Sequence, residues 1–136
     1  MHKLKWPIWP KFTKLEQNLV KRVVKNQRLY AGPYVEKFER EFKKFTNSKH
    51  SIAVGNATQG LHLALASLNI GEGNEVITTP FSFISTASCI LMQNAIPVFS
   101  DCSEKTLSPS VDQIKSKITK YTKAIILVHP FGYSCE

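Results

Sequence analysis

A chain of 136 residues, 43% of them hydrophobic, is long enough to fold around one buried core. Its apolar runs are shorter than the ~20 residues that span a bilayer, and its lysine-containing start lacks the apolar segment of a secretory signal. The net charge of +8 comes mostly from scattered lysines that fit the polar faces of helices, with no nucleic-acid-binding motif. We therefore expect a cytoplasmic protein that binds neither membranes nor nucleic acids.

Two amphipathic helices are predicted in residues 1–50, an N-terminal helical segment. Thr13 and Glu16 have the spacing of a capping box at the start of the first helix. Gly32 and Pro33 separate the two patterns, and Pro33 suits the first turn of the second helix. The apolar stripes are Phe12, Leu15, Leu19 and Val23 in the first helix, and Val35, Phe38, Phe42 and Phe45 in the second.

From Ser51 onward, apolar runs alternate with helical patterns. The predicted strands are SIAV, EVITT, IPVFS and AIILVH. The predicted helices are 59–68, 84–93 and one that begins at Ser108-Pro109 and turns Val111, Ile114 and Ile118 inward. This alternation predicts an α/β fold with a mostly parallel sheet, flanking helices and strands buried on both faces. We assign residues 51–136 to an incomplete domain, because no covering helix follows the last strand.

The three cysteines, Cys89, Cys102 and Cys135, are far apart and odd in number. No CxxC or Cys/His spacing indicates a zinc site, so we predict no metal. Reduced thiols that pack as small hydrophobic side chains are the expected state.

The turn from Gly55 to Thr58 is the first candidate binding site, because it joins a predicted strand to a predicted helix. It lacks the GxGxxG pattern of dinucleotide sites and the lysine of a P-loop. The amides of Ala57 and Thr58, with the Thr58 hydroxyl, could hold a single phosphate at the helix start. The alternative is that Asn56 or Thr58 only caps the helix.

Two aromatic residues, Phe81 and Phe83, follow the second predicted strand, and the segment HPFG follows the fourth. The carboxyl ends of parallel strands share one edge of a sheet, where ligands bind. An aromatic face beside a phosphate site would suit a flat phosphorylated ring such as pyridoxal phosphate. The alternative is that Phe83 belongs to the core.

Four segments stand in the order and spacing of a known family: LYAGPYVEKFEREF, VGNATQGLHLALASLNIGEGNEVITTPFSFISTA, AIPVFSD and YTKAIILVHPFG. Together they resemble the N-terminal part of the DegT/StrS family of sugar aminotransferases, over residues 12–132. The resemblance implies part of a fold type I large domain with pyridoxal 5'-phosphate as cofactor. For the full-length family it implies a homodimer that aminates nucleotide-linked keto-deoxysugars from an amino-acid donor, in surface polysaccharide biosynthesis.

The same resemblance implies roles for individual residues. Ala57 and Thr58 match the pair that binds the cofactor phosphate, and Phe83 matches the aromatic residue that stacks on the pyridine ring. Gly32 and Pro33 match a stretch on the substrate side of the cleft. The family often has Ser-Gly where this chain has Asn-Ala before Thr58, a change that keeps the amides and the hydroxyl.

The resemblance also places the family's catalytic residues beyond Glu136: the aspartate that pairs with the pyridine nitrogen and the Schiff-base lysine. Lys120 and Lys123 precede the last predicted strand, at the wrong edge of the sheet, and His129 in the VH..G pattern suits a structural hydrogen bond. We therefore expect no catalytic residue and no transamination by this chain alone. Two alternatives stay open: part of a family sugar dehydratase, or a non-catalytic binding protein.

Overall fold

A computed structural model describes residues 10–26 and 30–135, and the chain divides into two compact units, Met1–Ala53 and Val54–Glu136. The first unit contains α1 (Lys14–Lys25) and α2 (Pro33–Thr46). The second contains α3 (Ala57–Ser67), β1 (Glu75–Thr78), α4 (Ser85–Leu91), β2 (Ile96–Phe99), α5 (Val111–Lys115), β3 (Thr122–Ile125) and a 3₁₀ turn at Pro130–Gly132. Among the described residues, no helix combines the length and apolar character needed to cross a membrane.

Both helices of the first unit begin where the sequence predicts. Thr13 is the N-cap of α1, and its capping box with Glu16 is complete. The hydrogen bond from the Thr13 side chain lowers the pKa of Glu16 below its ordinary value. Gly32 precedes α2 in extended backbone, and Pro33 is the first helical residue, a position where the missing proline N–H is not needed.

The apolar stripes of α1 and α2 remain largely exposed. Phe12, Phe38 and Phe45 are all exposed to solvent, and neither helix contains a fully buried residue. The rings of Phe38 and Phe42 contact each other, with centroids 5.8 Å apart. The helical spacing therefore identifies the helices correctly, but the described residues leave their apolar faces uncovered.

The second unit is organised around a parallel three-stranded sheet with the order β2-β1-β3. In the central strand β1, Val76 pairs with Pro97 of β2 and Ala124 of β3, and both Val76 and Ile77 are fully buried. Helices α3 and α4 pack against each other, and α4 also contacts β1 and β2. The predicted α/β class is confirmed. The core cluster consists of Leu65, Ile70, Val76, Cys89, Ile90 and Ala95.

The predicted strand SIAV is wrong, because residues 51–54 form no strand. A strand exists only through hydrogen bonds to a neighbouring strand, and none pairs with this segment among the described residues. The Ala53 N–H donates instead to the Glu39 carboxylate at 2.7 Å.

Strand β3 ends before the apolar run AIILVH is complete. The Ile126 N–H still donates to the Ile77 carbonyl at 2.8 Å, but the assigned strand stops at Ile125. Ala124 and Ile126 pack on the core, whereas Ile125 and Leu127 are exposed. Burial on both faces is therefore wrong for β3: nothing in the described part of the chain covers its second face.

The helix α5 begins later than predicted and is only five residues long. Its N-cap is Ser110 instead of Ser108, because Gln113 stands at the correct spacing to complete a capping box with Ser110. Val111 and Ile118 are exposed and do not point inward, and Ile118 lies beyond the helix. The predicted α3 and α4 agree with the structure to within two residues at each end.

The three cysteines are free thiols, as predicted, but only Cys89 is fully buried. Burial raises the pKa of the Cys89 thiol above its ordinary value. Cys102 and Cys135 are half-buried. Within the described residues, no group of three or more His, Cys, Asp or Glu side chains could hold a metal ion.

The burial of Cys89 predicts selective modification. At about pH 8, a thiol reagent should modify Cys102 and Cys135 in the folded chain, because their thiols are only half-buried and remain within reach of the reagent. Cys89 should react after unfolding in urea, since burial both shields it and raises its pKa. Mass spectrometry of the labelled chain measures this order. A Cys89→Ala variant should bind the same number of labels when folded, and rapid labelling of Cys89 in the native chain would contradict the prediction.

Candidate active site

The start of α3 presents free backbone amides. Asn56 is the N-cap in extended backbone, and its Oδ1 accepts the Gln59 N–H at 3.0 Å. The amides of Ala57 and Thr58, and the Thr58 hydroxyl, have no hydrogen-bond partner among the described residues. Ala57 is exposed and Thr58 is half-buried. Because the positive end of the helix dipole lies here, these donors favour an anion.

Gln59, which the sequence analysis did not single out, closes the turn from inside the helix. Its Oε1 accepts the Gly55 N–H at 3.0 Å. A Cβ on Gly55 would lie 2.5 Å from that oxygen, so any other residue there would displace the Gln59 side chain. The spacing Asn56-x-x-Gln59 resembles that of a capping box, and this pattern could have identified Gln59 from the sequence. Asn56 therefore does cap the helix, yet this capping leaves the Ala57 and Thr58 donors free.

A cleft of about 330 Å³ lies between the loop after β1 and the loop after β3. Its size is within the range of small-molecule sites. The structure thus brings together two of the three strand-end segments that the sequence singled out, TPFSF and HPFG, whereas Ala57 and Thr58 are not among the residues that line the cleft. The lining residues are Pro80, Phe81, Ser82, Phe83, Val128, Pro130 and Phe131.

Phe83 lines this cleft from the loop after β1. The residue is 75% exposed, so it does not belong to the core. Neighbouring hydrogen bonds fix the loop that carries it. The hydroxyls of Ser82 and Thr86 are 2.5 Å apart, which ties the loop to α4. The Phe81 N–H donates to the Thr79 hydroxyl at 3.2 Å. An exposed aromatic ring on a fixed loop is available to a ligand.

The second loop is held by its own hydrogen bonds. His129 Nδ1 accepts the Cys135 N–H at 3.0 Å, which is the structural role expected for this histidine. The Cys135 thiol donates to the Val128 carbonyl at 2.9 Å. Phe131 in the same loop has a left-handed backbone, with φ 54°.

The other predicted residues lie elsewhere. Gly32 and Pro33 belong to the first unit, where they start α2, while Ala57, Thr58 and Phe83 belong to the second. Lys120 precedes β3, and its Nζ lies 5.0 Å from the centre of the Tyr121 ring.

Lys123 is the second residue of β3 and does not precede the strand, because β3 begins at Thr122. Both Lys120 and Lys123 are still on the amino-terminal side of Ile125, the last residue of β3. The loop that carries Phe131 follows the other end of the strand.

Comparison with protein families gives a match along almost the whole chain. The profile of the DegT/DnrJ/EryC1/StrS aminotransferase family matches residues 10–136. The chain is 41% identical over 127 residues to the spore coat polysaccharide biosynthesis protein SpsC of Bacillus subtilis, covering 93% of this chain and 33% of that protein. It is 40% identical over 105 residues to the GDP-perosamine synthase of Vibrio cholerae, covering 77% and 29%. The chain thus spans about a third of the length of these curated relatives.

Solved structures give the same result. An aminotransferase from Psychrobacter cryohalolentis superposes with a TM-score of 0.90 at 39% identity, covering 96% of this chain and 34% of that one. A Streptococcus pneumoniae protein described as a sugar aminotransferase has a TM-score of 0.89 at 29% identity, covering 93% and 32%. That protein was solved in a PLP form and in a PMP form.

The geometry of the α3 start predicts a cap effect. Asn56→Ala should lower the free energy of unfolding by about 1 kcal/mol, because the Gln59 N–H loses its acceptor. Asn56→Ser should retain most of the stability, since a serine hydroxyl caps equally well. Urea denaturation followed by circular dichroism measures both. Equal stability of the alanine variant and the unmodified chain would show that the cap contributes nothing.

Proposed function

Because the chain belongs to the DegT/DnrJ/EryC1/StrS aminotransferase family, we propose that it forms the phosphate-binding and ring-contacting part of a pyridoxal-phosphate-dependent sugar aminotransferase. The observation that carries this proposal is the group of free donors at the start of α3: the Ala57 amide, the Thr58 amide and the Thr58 hydroxyl. The forms in which the Streptococcus pneumoniae neighbour was solved support the choice of cofactor.

The residues present fit such a cofactor. A phosphate dianion needs hydrogen-bond donors, and the start of α3 offers amides and a hydroxyl with the helix dipole behind them. A flat ring needs an apolar wall, and the exposed Phe83 ring lines a cleft formed mainly by phenylalanine and proline. No acidic side chain lines that cleft among the described residues, so nothing there repels an anion.

Each residue then has a specific task. Ala57 and Thr58 bind the phosphate, and Phe83 orients the ring by stacking on one face. For Gly32 and Pro33, the resemblance implies a role in contacting the substrate. Bound pyridoxal phosphate supplies the electron sink that allows an amino group to be transferred.

The substrate class that we propose is a nucleotide-linked keto-deoxysugar, with an amino acid as amino donor. Two relatives support it by name: one is a GDP-perosamine synthase, and the other belongs to spore coat polysaccharide biosynthesis. For the whole protein we propose a homodimer in the cytoplasm. No lysine lines the described cleft, so we infer that these residues bind the cofactor without completing the reaction.

The phosphate contact can be tested without activity. Pyridoxine 5'-phosphate lacks the aldehyde, so it cannot react with surface lysines, and its binding is measured by titration calorimetry or ligand-observed NMR. Thr58→Val should weaken its affinity about tenfold, because one hydrogen bond to a charged phosphate is lost. Thr58→Ser keeps the hydroxyl and should bind like the unmodified chain. Equal affinity of the valine variant would refute the role of Thr58.

Because no lysine is among the described residues that line the cleft, we expect no turnover by this chain alone. The chain, mixed with pyridoxal phosphate, glutamate and a GDP-linked keto-sugar, should form amino sugar no faster than the free cofactor does. A positioned acid or base contributes ~10²–10⁴-fold to such proton transfers, and no acidic or basic side chain is among the described residues that line the cleft. Chromatography of the sugar nucleotides measures the product. Faster formation that Thr58→Val abolishes would mean that a lysine of this chain reaches the cofactor.

A further inference from the structure

We propose that Phe131 is a second aromatic contact for the pyridine ring, and that its strained backbone serves that contact. This inference rests on the proposed function, because the occupant it names is the ring of pyridoxal phosphate. It assigns a role to a residue that the sequence analysis singled out only as part of the segment HPFG.

The backbone of Phe131 is in a conformation that large side chains avoid. Its φ is 54° and its ψ is 19°, in the left-handed region. Gly132 follows with φ 88°, and glycine adopts such angles without strain. Three of the five non-glycine residues with positive φ in the described chain are asparagines, which tolerate this region: Asn47, Asn69 and Asn94.

Packing among the described residues does not compensate for the strained backbone of Phe131. Its side chain is 85% exposed, so little of the ring is removed from water. The loop itself is held by other groups, because the Gly132 N–H donates to the His129 carbonyl and the Tyr133 N–H donates to the Pro130 carbonyl. Among the described residues, a phenylalanine at this position therefore adds little packing that glycine or asparagine would lack.

What the phenylalanine does provide is a second aromatic ring in the cleft. Phe131 and Phe83 line the same cleft of about 330 Å³, one on each loop. A flat aromatic ligand gains from stacked or edge-to-face contacts with such rings. Strained residues concentrate where a ligand is held. The pyridine ring is the occupant that fits, since a solved neighbour carries pyridoxal phosphate.

The test compares one substitution at two exposed aromatic positions. Phe131→Gly should raise the midpoint of thermal unfolding by about 4 °C, because the left-handed strain is relieved. It should also weaken the binding of pyridoxine and of pyridoxine 5'-phosphate by about three- to tenfold, because an aromatic contact is lost. Phe131→Tyr keeps the ring and should keep both affinities.

Tyr133→Gly is the matched control. Tyr133 is exposed, lies outside the cleft lining and has an ordinary backbone with φ −77°. Glycine there should lower the unfolding midpoint, because the unfolded chain gains freedom, and both affinities should stay unchanged. Opposite stability changes for the same substitution, with lost binding only at residue 131, would support the inference.

The outcomes separate the inference from the proposed function. Unchanged affinity of Phe131→Gly for both probes overturns the role of Phe131, while the phosphate role of Thr58 keeps its own test. Weaker pyridoxine binding in Phe131→Gly, with no effect of Thr58→Val on the phosphorylated probe, supports Phe131 and refutes the phosphate site. Failure of the unmodified chain to bind either probe overturns both.

Discussion

The parallel pairing of β1 with both of its neighbours is the constraint on which the candidate site depends. Because β2, β1 and β3 run in the same direction, their carboxyl ends meet at one edge of the sheet. The Thr78 hydroxyl reinforces this pairing by donating to the Ile126 carbonyl at 3.2 Å, just where both strands end. The loops that follow β1 and β3 are thereby held side by side, and the aromatic cleft lies between them. Without β1, whose Val76 and Ile77 are fully buried, the loops that carry Phe83 and Phe131 would not be held side by side.

The start of α3 is capped and still presents free hydrogen-bond donors. Helix capping and phosphate binding are often treated as alternatives, because both use the same end amides. Here the cap and the candidate phosphate site use different amides. Asn56 Oδ1 accepts the Gln59 N–H, and Gln59 Oε1 accepts the Gly55 N–H. The amides of Ala57 and Thr58 remain free among the described residues. The capping bonds keep the turn rigid, so the free donors are fixed in position before a ligand arrives.

Sequence reasoning succeeded where the determinant is local. The capping box of Thr13, the helix start at Pro33 and the alternation from Glu75 onward all depend on residues a few positions apart. It failed where the secondary structure depends on a partner distant in the chain. Residues 51–54 have the composition of a strand, but no strand pairs with them among the described residues. The sequence singled out both segments that line the cleft, TPFSF and HPFG, but it did not show that Ala57 and Thr58 lie outside that lining. The left-handed backbone of Phe131 was also missed, because phenylalanine does not mark such a position as glycine or asparagine would.

The outer edge of β3 has no paired strand among the described residues, so its backbone N–H and C=O groups form a template that another extended chain could join. Natural sheets often discourage such joining by placing a lysine on the edge strand. Lys123 stands there with its side chain exposed, between Thr122 and Ala124. The charge of this exposed lysine opposes the pairing of β3 with an extended strand from another copy of this chain.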